Sequence, residues 1–278
     1  MVNKVFKTGV IISLLICIFL VSCDNDFVGL FNATSLEDRL KERNNFTYLE
    51  SNADALSPSF GDAYSFIVVS DTHFLNGNSN GFEGFKEMLA IDGSIQFIII
   101  LGDITQGGYR EDVQKFIEMS HYMGIPVYPV IGNHDIYFWN WDNWKEIIGS
   151  TRYRIDDDGN TTLLILDSAN GYLGKEQLDW LENQIKTAKS NVFVFTHFHL
   201  FIDSPINITP LTEKRERARL LSILKGRCDI MFMGHVHKYT NVEIGGVKYI
   251  TLPAFVENKG FIHVSVNNNR ISYYSGSL

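Results

Sequence analysis

The chain has 278 residues, of which 45% are hydrophobic and 13% aromatic. This is enough apolar material for one folded domain of about 220 residues. The formal net charge of −8 argues against a nucleic-acid-binding surface, since such surfaces usually carry a basic stripe.

Residues 1–22 are typical of a secretory signal, with a basic start, a short apolar run and a small residue before the cut. The sequence LVSC at 20–23 resembles the bacterial lipoprotein signal, in which the cysteine becomes the lipidated first residue. A single-pass anchor is the alternative, but about 13 apolar residues are too few to span a bilayer comfortably. We therefore predict an exported lipoprotein held at a membrane of the cell envelope through Cys23. Cys17 leaves with the signal and Cys228 is then alone, so no internal disulfide can form.

Residues 23–60 are predicted to form a polar tether, because they are rich in Asn, Ser and Asp and lack a strong apolar period. Within this segment SLEDRLKERNN suggests a short helix, with Ser35 as N-cap and Asp38 three residues on. Residues 61–278 are predicted to be the folded domain.

From Tyr64 onward, short apolar runs end at polar residues. The runs are SFIVVSD (65–71), QFIIILGD (96–103), PVYPVIGNHD (126–135), TTLLILD (161–167), NVFVFTH (191–197) and CDIMFMGH (228–235). Continuous hydrophobicity suggests strands covered on both faces, and the segments between them have helical patterns. After residue 238, turns at 245–246 and 267–269 indicate hairpins. The pattern predicts an α/β core followed by a small antiparallel sheet.

The strand ends carry an unusual set of polar side chains. They are Asp71 with His73, Asp103, Asn133 with His134 and Asp135, His197, and His235 with His237. Ligands of open α/β sheets bind beyond the carboxyl ends of the strands. Carboxylates and imidazoles together suit Zn, Mn, Fe or Co. The pattern therefore predicts a metal site at these ends.

These motifs resemble those of the calcineurin-like metallophosphoesterases over about residues 64–265. The matching motifs are DTH (71–73), GD (102–103), GNHD (132–135), His197 and GHVH (234–237). The segments IIGSTRYRIDDDGNTTLLILDS and GKEQLDWLENQI are also similar to the bacterial branch that contains cyclic-nucleotide phosphodiesterase-like proteins. The resemblance implies an α/β sandwich of two mixed β-sheets flanked by helices, with C-terminal antiparallel hairpins and the catalytic domain at 61–278.

The resemblance also implies two divalent metal ions, which could be Mn, Fe or Zn. One ion would be held by Asp71, His73, Asp103 and His237. The other would be held by Asp103, Asn133, His197 and His235. His134 would stabilise the phosphoryl oxygens or protonate the leaving group, and Asp135 would orient His134.

The function implied is hydrolysis of a small phosphate mono- or diester by in-line attack of a metal-bound hydroxide. The alternative is an envelope-anchored binding or scaffold lipoprotein that has kept the fold without turnover. The sequence leaves open the choice between mono- and diester substrates and the oligomeric state.

A few positions have two interpretations. We favour His197 over His199 as a ligand, because His197 directly ends an apolar run. The aromatic segment IYFWNWDNW at 136–144 would either pack a helix into the core or line a pocket wall with Tyr137, Phe138 or Trp139. The charged run at 213–219 is predicted to be a solvated helix face. Three further residues are predicted to be structural: Asp167 as a turn or helix-start residue, His121 and His263.

Overall fold

The computed structural model describes residues 34–52, 54–75, 80–201 and 214–278. Its helices are α1 (Leu36–Arg39), α2 (Thr47–Ser51), α3 (Asn80–Leu89), α4 (Arg110–Met123), α5 (Trp141–Ile147), α6 (Lys175–Lys186), α7 (Lys214–Leu224) and α8 (Phe255–Asn258), with 3₁₀ turns at Leu40–Glu42 and His134–Trp139. Its strands are β1 (Ala63–Val69), β2 (Ile95–Leu101), β3 (Val127–Val130), β4 (Tyr153–Asp156), β5 (Thr161–Ile165), β6 (Asn191–Phe195), β7 (Ile230–Met233), β8 (Thr240–Ile244), β9 (Val247–Thr251), β10 (Gly260–Asn267) and β11 (Arg270–Ser277).

The strands form two mixed sheets, as predicted. The first has the order β11-β10-β1-β2-β3 and the second the order β4-β5-β6-β7-β9-β8. Strands β1, β2 and β3 run parallel, and so do β5, β6, β7 and β9. Parallel strands share the direction of their carboxyl ends, which brings the polar residues after β1, β2 and β3, and those after β6 and β7, to common edges.

Aromatic side chains fill the space between the sheets. The Phe66 ring of β1 stacks on Phe97 of β2 at 4.5 Å between centroids, and it meets Phe193 of the second sheet edge-on at 5.0 Å. On the other face of the second sheet, helices α6 and α7 cover a second apolar cluster that includes Leu181 and Leu220. Burial on both faces explains why these strands read as unbroken apolar runs.

All six predicted strands are present, and the predicted C-terminal hairpins are β8–β9 and β10–β11. The prediction of a separate small sheet is wrong, because each hairpin joins one of the two main sheets. Strand β9 pairs in parallel with β7, and β10 pairs antiparallel with β1. The inner strand of each hairpin is largely buried, so it covers a sheet edge that would otherwise be exposed.

The tether prediction for residues 23–60 is wrong for 34–60. Helix α1 begins as predicted, with the Ser35 hydroxyl accepting a hydrogen bond from the Asp38 N–H at 3.2 Å. The segment then packs on the domain, and the buried Tyr48 hydroxyl donates to the Val127 carbonyl at 3.0 Å. Residues 23–33, the predicted signal at 1–22 and the predicted lipid site Cys23 lie outside the described residues.

The tightest link between this segment and the domain is a buried ion pair. Arg39 and Asp167 are both fully buried, and Nε and Nη2 of Arg39 each donate to one carboxylate oxygen of Asp167 at 2.8 Å. The interpretation of Asp167 as only a turn or helix-start residue therefore missed its main partner. Within the described ranges, no helix combines the length and apolar character needed to cross a bilayer.

Candidate metal centre

The polar strand ends converge on one cluster. Three groups of side chains have potential ligand atoms within 4.8 Å of one another: Asp71, His73 and His237; His73, Asp103 and His134; and Asp103, His197 and His235. The groups overlap at His73 and Asp103, so they form one continuous site. Together the three groups contain seven different residues, all aspartates or histidines. These residues come from five separate segments of the chain.

The backbone is unusual where it carries these side chains. Five of the clustered residues have positive φ, a conformation that costs energy for residues other than glycine. They are Asp71 (54°), His73 (47°), Asp103 (47°), His235 (75°) and His237 (53°). Such strain persists where the surrounding structure fixes it, and functional sites are where it concentrates.

Two glycines allow the strand ends to approach each other closely. A Cβ atom on Gly132 would overlap the backbone nitrogen of Asp103, and one on Gly234 would overlap the Ser70 hydroxyl. This explains why glycine directly precedes Asn133 and His235. Any side chain at these two positions would push the adjacent clustered residues apart.

The histidines that face Asp71 and Asp103 lower the pKa values of these two carboxyl groups. Burial on its own would raise the pKa of Asp71 and Asp103. At Asp71 the hydrogen bonds from His237 and Ser70 and the charge of His197 together outweigh burial, and at Asp103 the neighbouring histidines together do so, so both pKa values are lowered. Both groups are therefore carboxylates at neutral pH.

The histidines divide into two pairs. Burial disfavours the charged form of His197, but the Asp103 carboxylate outweighs it and raises the His197 pKa to about 9. A hydrogen bond to Asp71 raises the His237 pKa to about 9 as well. Burial lowers the pKa of His235 to about 3, helped by the neighbouring His197, and burial also lowers that of His73.

Neighbouring acceptors fix the orientation of two histidine rings. Nδ1 of His197 donates to the Leu101 carbonyl at 2.7 Å, and Nδ1 of His237 donates to the Glu257 carboxylate at 2.7 Å. In each case Nε2 is left facing a carboxylate, at 3.3 Å from Asp103 and from Asp71 respectively. Metal-binding histidines commonly have this arrangement, with the second ring nitrogen donating to a fixed acceptor.

The residues present fit two divalent cations. Both ring nitrogens of His73 are buried and have no hydrogen-bond partner among the described residues, and a cation would occupy the lone pair of one of them. The donors are imidazoles, carboxylates and one amide, the set that suits Mn, Fe and Zn. Oδ1 of Asn133 lies 3.0 Å from His197 Nε2, while its Nδ2 donates to the Tyr137 hydroxyl at 2.6 Å. The amide oxygen therefore points into the cluster.

His134 lies at the edge of the cluster with about a quarter of its side chain exposed, and its Nε2 is 3.9 Å from Asp103 Oδ2. The prediction that the Asp135 side chain orients the His134 ring is wrong. Nδ1 of His134 donates to the Gln106 carbonyl at 2.9 Å, and no hydrogen bond joins the His134 ring to Asp135 among the contacts described.

Asp135 instead joins two loops. Its buried carboxyl accepts from the N–H groups of Thr105 at 2.8 Å and Gly132 at 2.9 Å, and from the Thr105 hydroxyl at 3.0 Å. Burial and the nearby Asp103 charge raise the pKa of Asp135 to about 7. Asp135 thus holds the loop after β2 against the loop after β3.

The structure separates the two interpretations of several other residues. His197 lies in the cluster, whereas His199 is outside the three groups, with its ring 6.1 Å from that of His235. In the aromatic segment, Trp141 and Trp144 are buried in α5. The Tyr137 ring lies 4.4 Å from that of His134, and the Phe138 ring lies 5.8 Å from that of Tyr137.

The motifs did not indicate two neighbours of the site, Glu257 and Gln106. Glu257 contacts His237 and Gln106 contacts His134, as described above. Gln106 acts through its backbone, which leaves no signal in the residue type. Glu257 lies in the short helix after β9, far from any motif.

Residues 64–239 match the calcineurin-like phosphoesterase family. The chain belongs to that family, and its two mixed sheets and clustered donors agree with this assignment.

Named relatives are bacterial phosphodiesterases. A probable cyclic nucleotide phosphodiesterase of Fibrobacter succinogenes is 23% identical, and the match covers 54% of this chain but only 60% of that relative. A probable glycerophosphodiester phosphodiesterase GpdQ of Arcobacter nitrofigilis is 30% identical over 62% of this chain and 71% of its own length. These relatives and the family assignment support a phosphoric ester hydrolase.

A solved structure shares the fold. The dimetal phosphatase from Danio rerio superposes with a TM-score of 0.58 at 15% identity, covering 76% of this chain and 95% of that protein. Within this fold, the carboxylate and histidine clusters described above are consistent with a dinuclear metal site.

Metal affinity is expected to rise with pH. The pKa values of His197 and His237 are raised from 6.5 to about 9, so both rings are protonated in the metal-free protein at neutral pH. Each must lose its proton to bind a cation, so the apparent affinity should change by about tenfold per pH unit for each proton displaced. Calorimetric Mn²⁺ titrations in buffers of different ionisation enthalpy would count the released protons.

The raised pKa values also predict that the stability of the metal-free protein falls as pH rises, which is opposite to the change in metal affinity. A raised folded-state pKa contributes stability below the ordinary value of 6.5, and this contribution is lost as pH rises through about 9.

An Mn²⁺ affinity that does not change between about pH 6 and about pH 8 would contradict the assignment of protonated rings.

Replacing Glu257 with Gln is expected to weaken binding of one cation by about tenfold, because the carboxylate both orients His237 and makes it a stronger donor. Chelator competition on the purified protein would measure this. Glu243→Gln is the matched control, since Glu243 is exposed on β8 and carries the same charge. Equal metal affinity in the two variants would show that the Glu257 contact has no such role.

Proposed function

We propose that this protein hydrolyses phosphate esters, with diesters as the preferred class, at a dinuclear metal centre. The observation that carries the proposal is the position of Asp103. It shares one donor group with His73 and another with His197 and His235, so it lies between the residues proposed for the two cations. The names of the bacterial relatives favour diesters.

The proposed ligands are those implied by the sequence. Asp71, His73, Asp103 and His237 would hold one cation, and Asp103, Asn133, His197 and His235 would hold the other. When bound, the cations supply Lewis-acid activation of water and of phosphoryl oxygens. Mn, Fe and Zn all suit this donor set.

The chain's own residues set the charge and the proton transfer. Only two of the seven proposed ligands are carboxylates, so the site keeps a positive field towards a phosphate even though the protein is acidic. A carboxylate in place of Asn133 would cancel part of that field. His134 stands beside the cluster with Nδ1 held by Gln106, which leaves Nε2 to protonate the leaving oxygen or to contact a phosphoryl oxygen.

A panel of esters tests the proposal directly. With Mn²⁺ supplied, we expect kcat/KM for bis(4-nitrophenyl) phosphate, a cyclic nucleotide or a glycerophosphodiester to exceed that for 4-nitrophenyl phosphate. A monoester preference would move the assignment to a phosphatase. Absence of turnover of every ester, with two cations bound per chain, would favour the alternative of a binding protein, which the complete donor set argues against.

Replacing His134 with Ala should slow hydrolysis by about a hundredfold for a diester with an alkyl leaving group, because the leaving alkoxide needs a proton. The loss should be smaller for a 4-nitrophenyl ester, whose leaving group is stable as an anion. Steady-state rates on both esters measure the difference. Equal losses would show that His134 acts on the phosphoryl oxygens and not on the leaving group.

We also propose that the protein is exported and anchored to a membrane of the cell envelope by lipid on Cys23. The support is the order of the basic, apolar and LVSC segments in residues 1–23. Labelling of the full chain with an alkyne fatty acid in a bacterial host should mark the wild-type protein and not Cys23→Ser. Labelling of both, or of neither, would refute lipid attachment at Cys23.

A further inference from the structure

Three large aromatic side chains stand exposed in the two loops that Asp135 joins. The exposed fraction is 45% for Tyr109, 48% for Phe138 and 74% for Trp139. The rings of Tyr109 and Phe138 are nearly parallel, with 16° between their planes and 6.5 Å between centroids. We call these three residues the aromatic rim.

The rim lies beside the candidate metal centre. The ring of Phe138 is 5.8 Å from that of Tyr137, which is itself 4.4 Å from the ring of His134. Tyr109 is connected to the same place through its loop, since Asn140 Nδ2 donates to the Gly107 carbonyl at 2.7 Å. A group attached to a phosphate at the centre could therefore reach the rim.

The backbone is strained at two of the three rim residues, Phe138 and Trp139. Phe138 has φ of 54° and Trp139 has φ of 65°, in the left-handed region that favours Gly or Asn. For bulky residues this conformation is a genuine outlier and costs energy. Buried residues can recover such a cost through packing, but about half of Phe138 and most of Trp139 are exposed. Two exposed aromatic residues in a backbone conformation that disfavours them point to a role in binding.

We propose that the aromatic rim is a specificity subsite for phosphate esters that carry a planar aromatic group. The metal centre would hold the phosphate, and the rim would stack against the ring. This inference rests on the proposed function for the position of the phosphate. Stacking of a planar ring on an aromatic side chain corresponds to about tenfold in affinity.

Phosphonates test the subsite without hydrolysis, because their carbon–phosphorus bond is not the ester bond that is cleaved. Calorimetric titration of the Mn²⁺-loaded protein would compare benzylphosphonate, which has a ring, with methylphosphonate, which does not. The wild-type protein is expected to bind benzylphosphonate about tenfold more tightly. The variant Phe138→Asn/Trp139→Gly should reduce this ratio to about threefold or less. Since Asn and Gly suit the two backbone positions, its melting temperature should be equal to or above that of the wild type.

Tyr122→Asn is the matched control. Tyr122 is also an exposed aromatic residue, at 63%, but it lies on α4 with Lys86 over its ring. This variant should keep the wild-type ratio. The proposal is overturned if the wild type shows no preference for the ring or if the double variant keeps it. If the wild type hydrolyses no ester but still binds benzylphosphonate about tenfold more tightly than methylphosphonate, only the proposed function is contradicted.

Discussion

Replacing Asp103 with Asn should lower kcat/KM for a phosphodiester by on the order of a thousandfold or more. The carboxylate is almost completely buried, lies 3.3 Å from His197 Nε2 and accepts the His134 N–H at 2.8 Å. An amide of the same shape would remove the negative charge from a position shared by two of the three donor groups. It would also place an NH₂ group where a cation is expected. We therefore expect fewer than two cations per chain, measured by elemental analysis of the purified variant.

The fold should survive this change, because Asn has the shape of Asp and can still accept the His134 N–H. Thermal unfolding of the metal-free variant would verify this. Asp62→Asn is a suitable control, since Asp62 is exposed at the start of β1 and should keep full turnover and both cations. Wild-type turnover in Asp103→Asn would exclude Asp103 as a shared ligand and leave the proposed mechanism without its central residue.

The sequence predicted the location of the site because strand ends are easy to read. A buried parallel strand is a continuous apolar run, so the first polar residue after it marks the carboxyl end. Asp71, Asp103 and His197 each stand at or just past such an end, and the structure brings them together. The pairing of donors into two sets came from the family resemblance, since the spacing along the chain does not contain it.

The supporting contacts could not be predicted in the same way. The Gln106 carbonyl that holds His134 belongs to the backbone, which any residue type would provide. The positive φ values of Phe138 and Trp139 contradict their residue types, so local propensity gave the opposite expectation. Functional sites are where local preference and final structure are expected to disagree.

The N-terminal segment was misread for a different reason. Its helices are short, at four residues for α1 and five for α2, so they contain too few turns to show an apolar period. Its strongest contact is an ion pair between residues 128 positions apart, and Arg39 on its own reads as a solvated charge. A polar composition therefore concealed a segment that is part of the folded domain.

The ion pair at Asp167 is also connected to the metal centre by hydrogen bonds. The next residue, Ser168, accepts hydrogen bonds from the Phe198 N–H at 2.9 Å and from the Thr196 hydroxyl at 2.8 Å. These two residues flank His197. A series of contacts therefore connects the Arg39–Asp167 ion pair to the residues on both sides of His197.

Replacing Arg39 with Ala should lower the free energy of unfolding by about 3–5 kcal/mol, because it would leave the Asp167 carboxylate buried without its partner. Urea denaturation of the metal-free protein would measure the loss. Arg43→Ala removes the same charge from an exposed position nearby and should change stability by less than about 0.5 kcal/mol.

The double variant Arg39→Met/Asp167→Leu separates the two causes of this loss. If the cost of Arg39→Ala comes from an unpaired buried charge, removing both charges should restore much of the stability, since apolar replacements of buried ion pairs are often tolerated. If the cost comes from losing the attachment of α1, the double variant should be as unstable as the single one. A loss below about 1 kcal/mol in Arg39→Ala would mean that the segment can detach from the domain without consequence, as the tether prediction supposed.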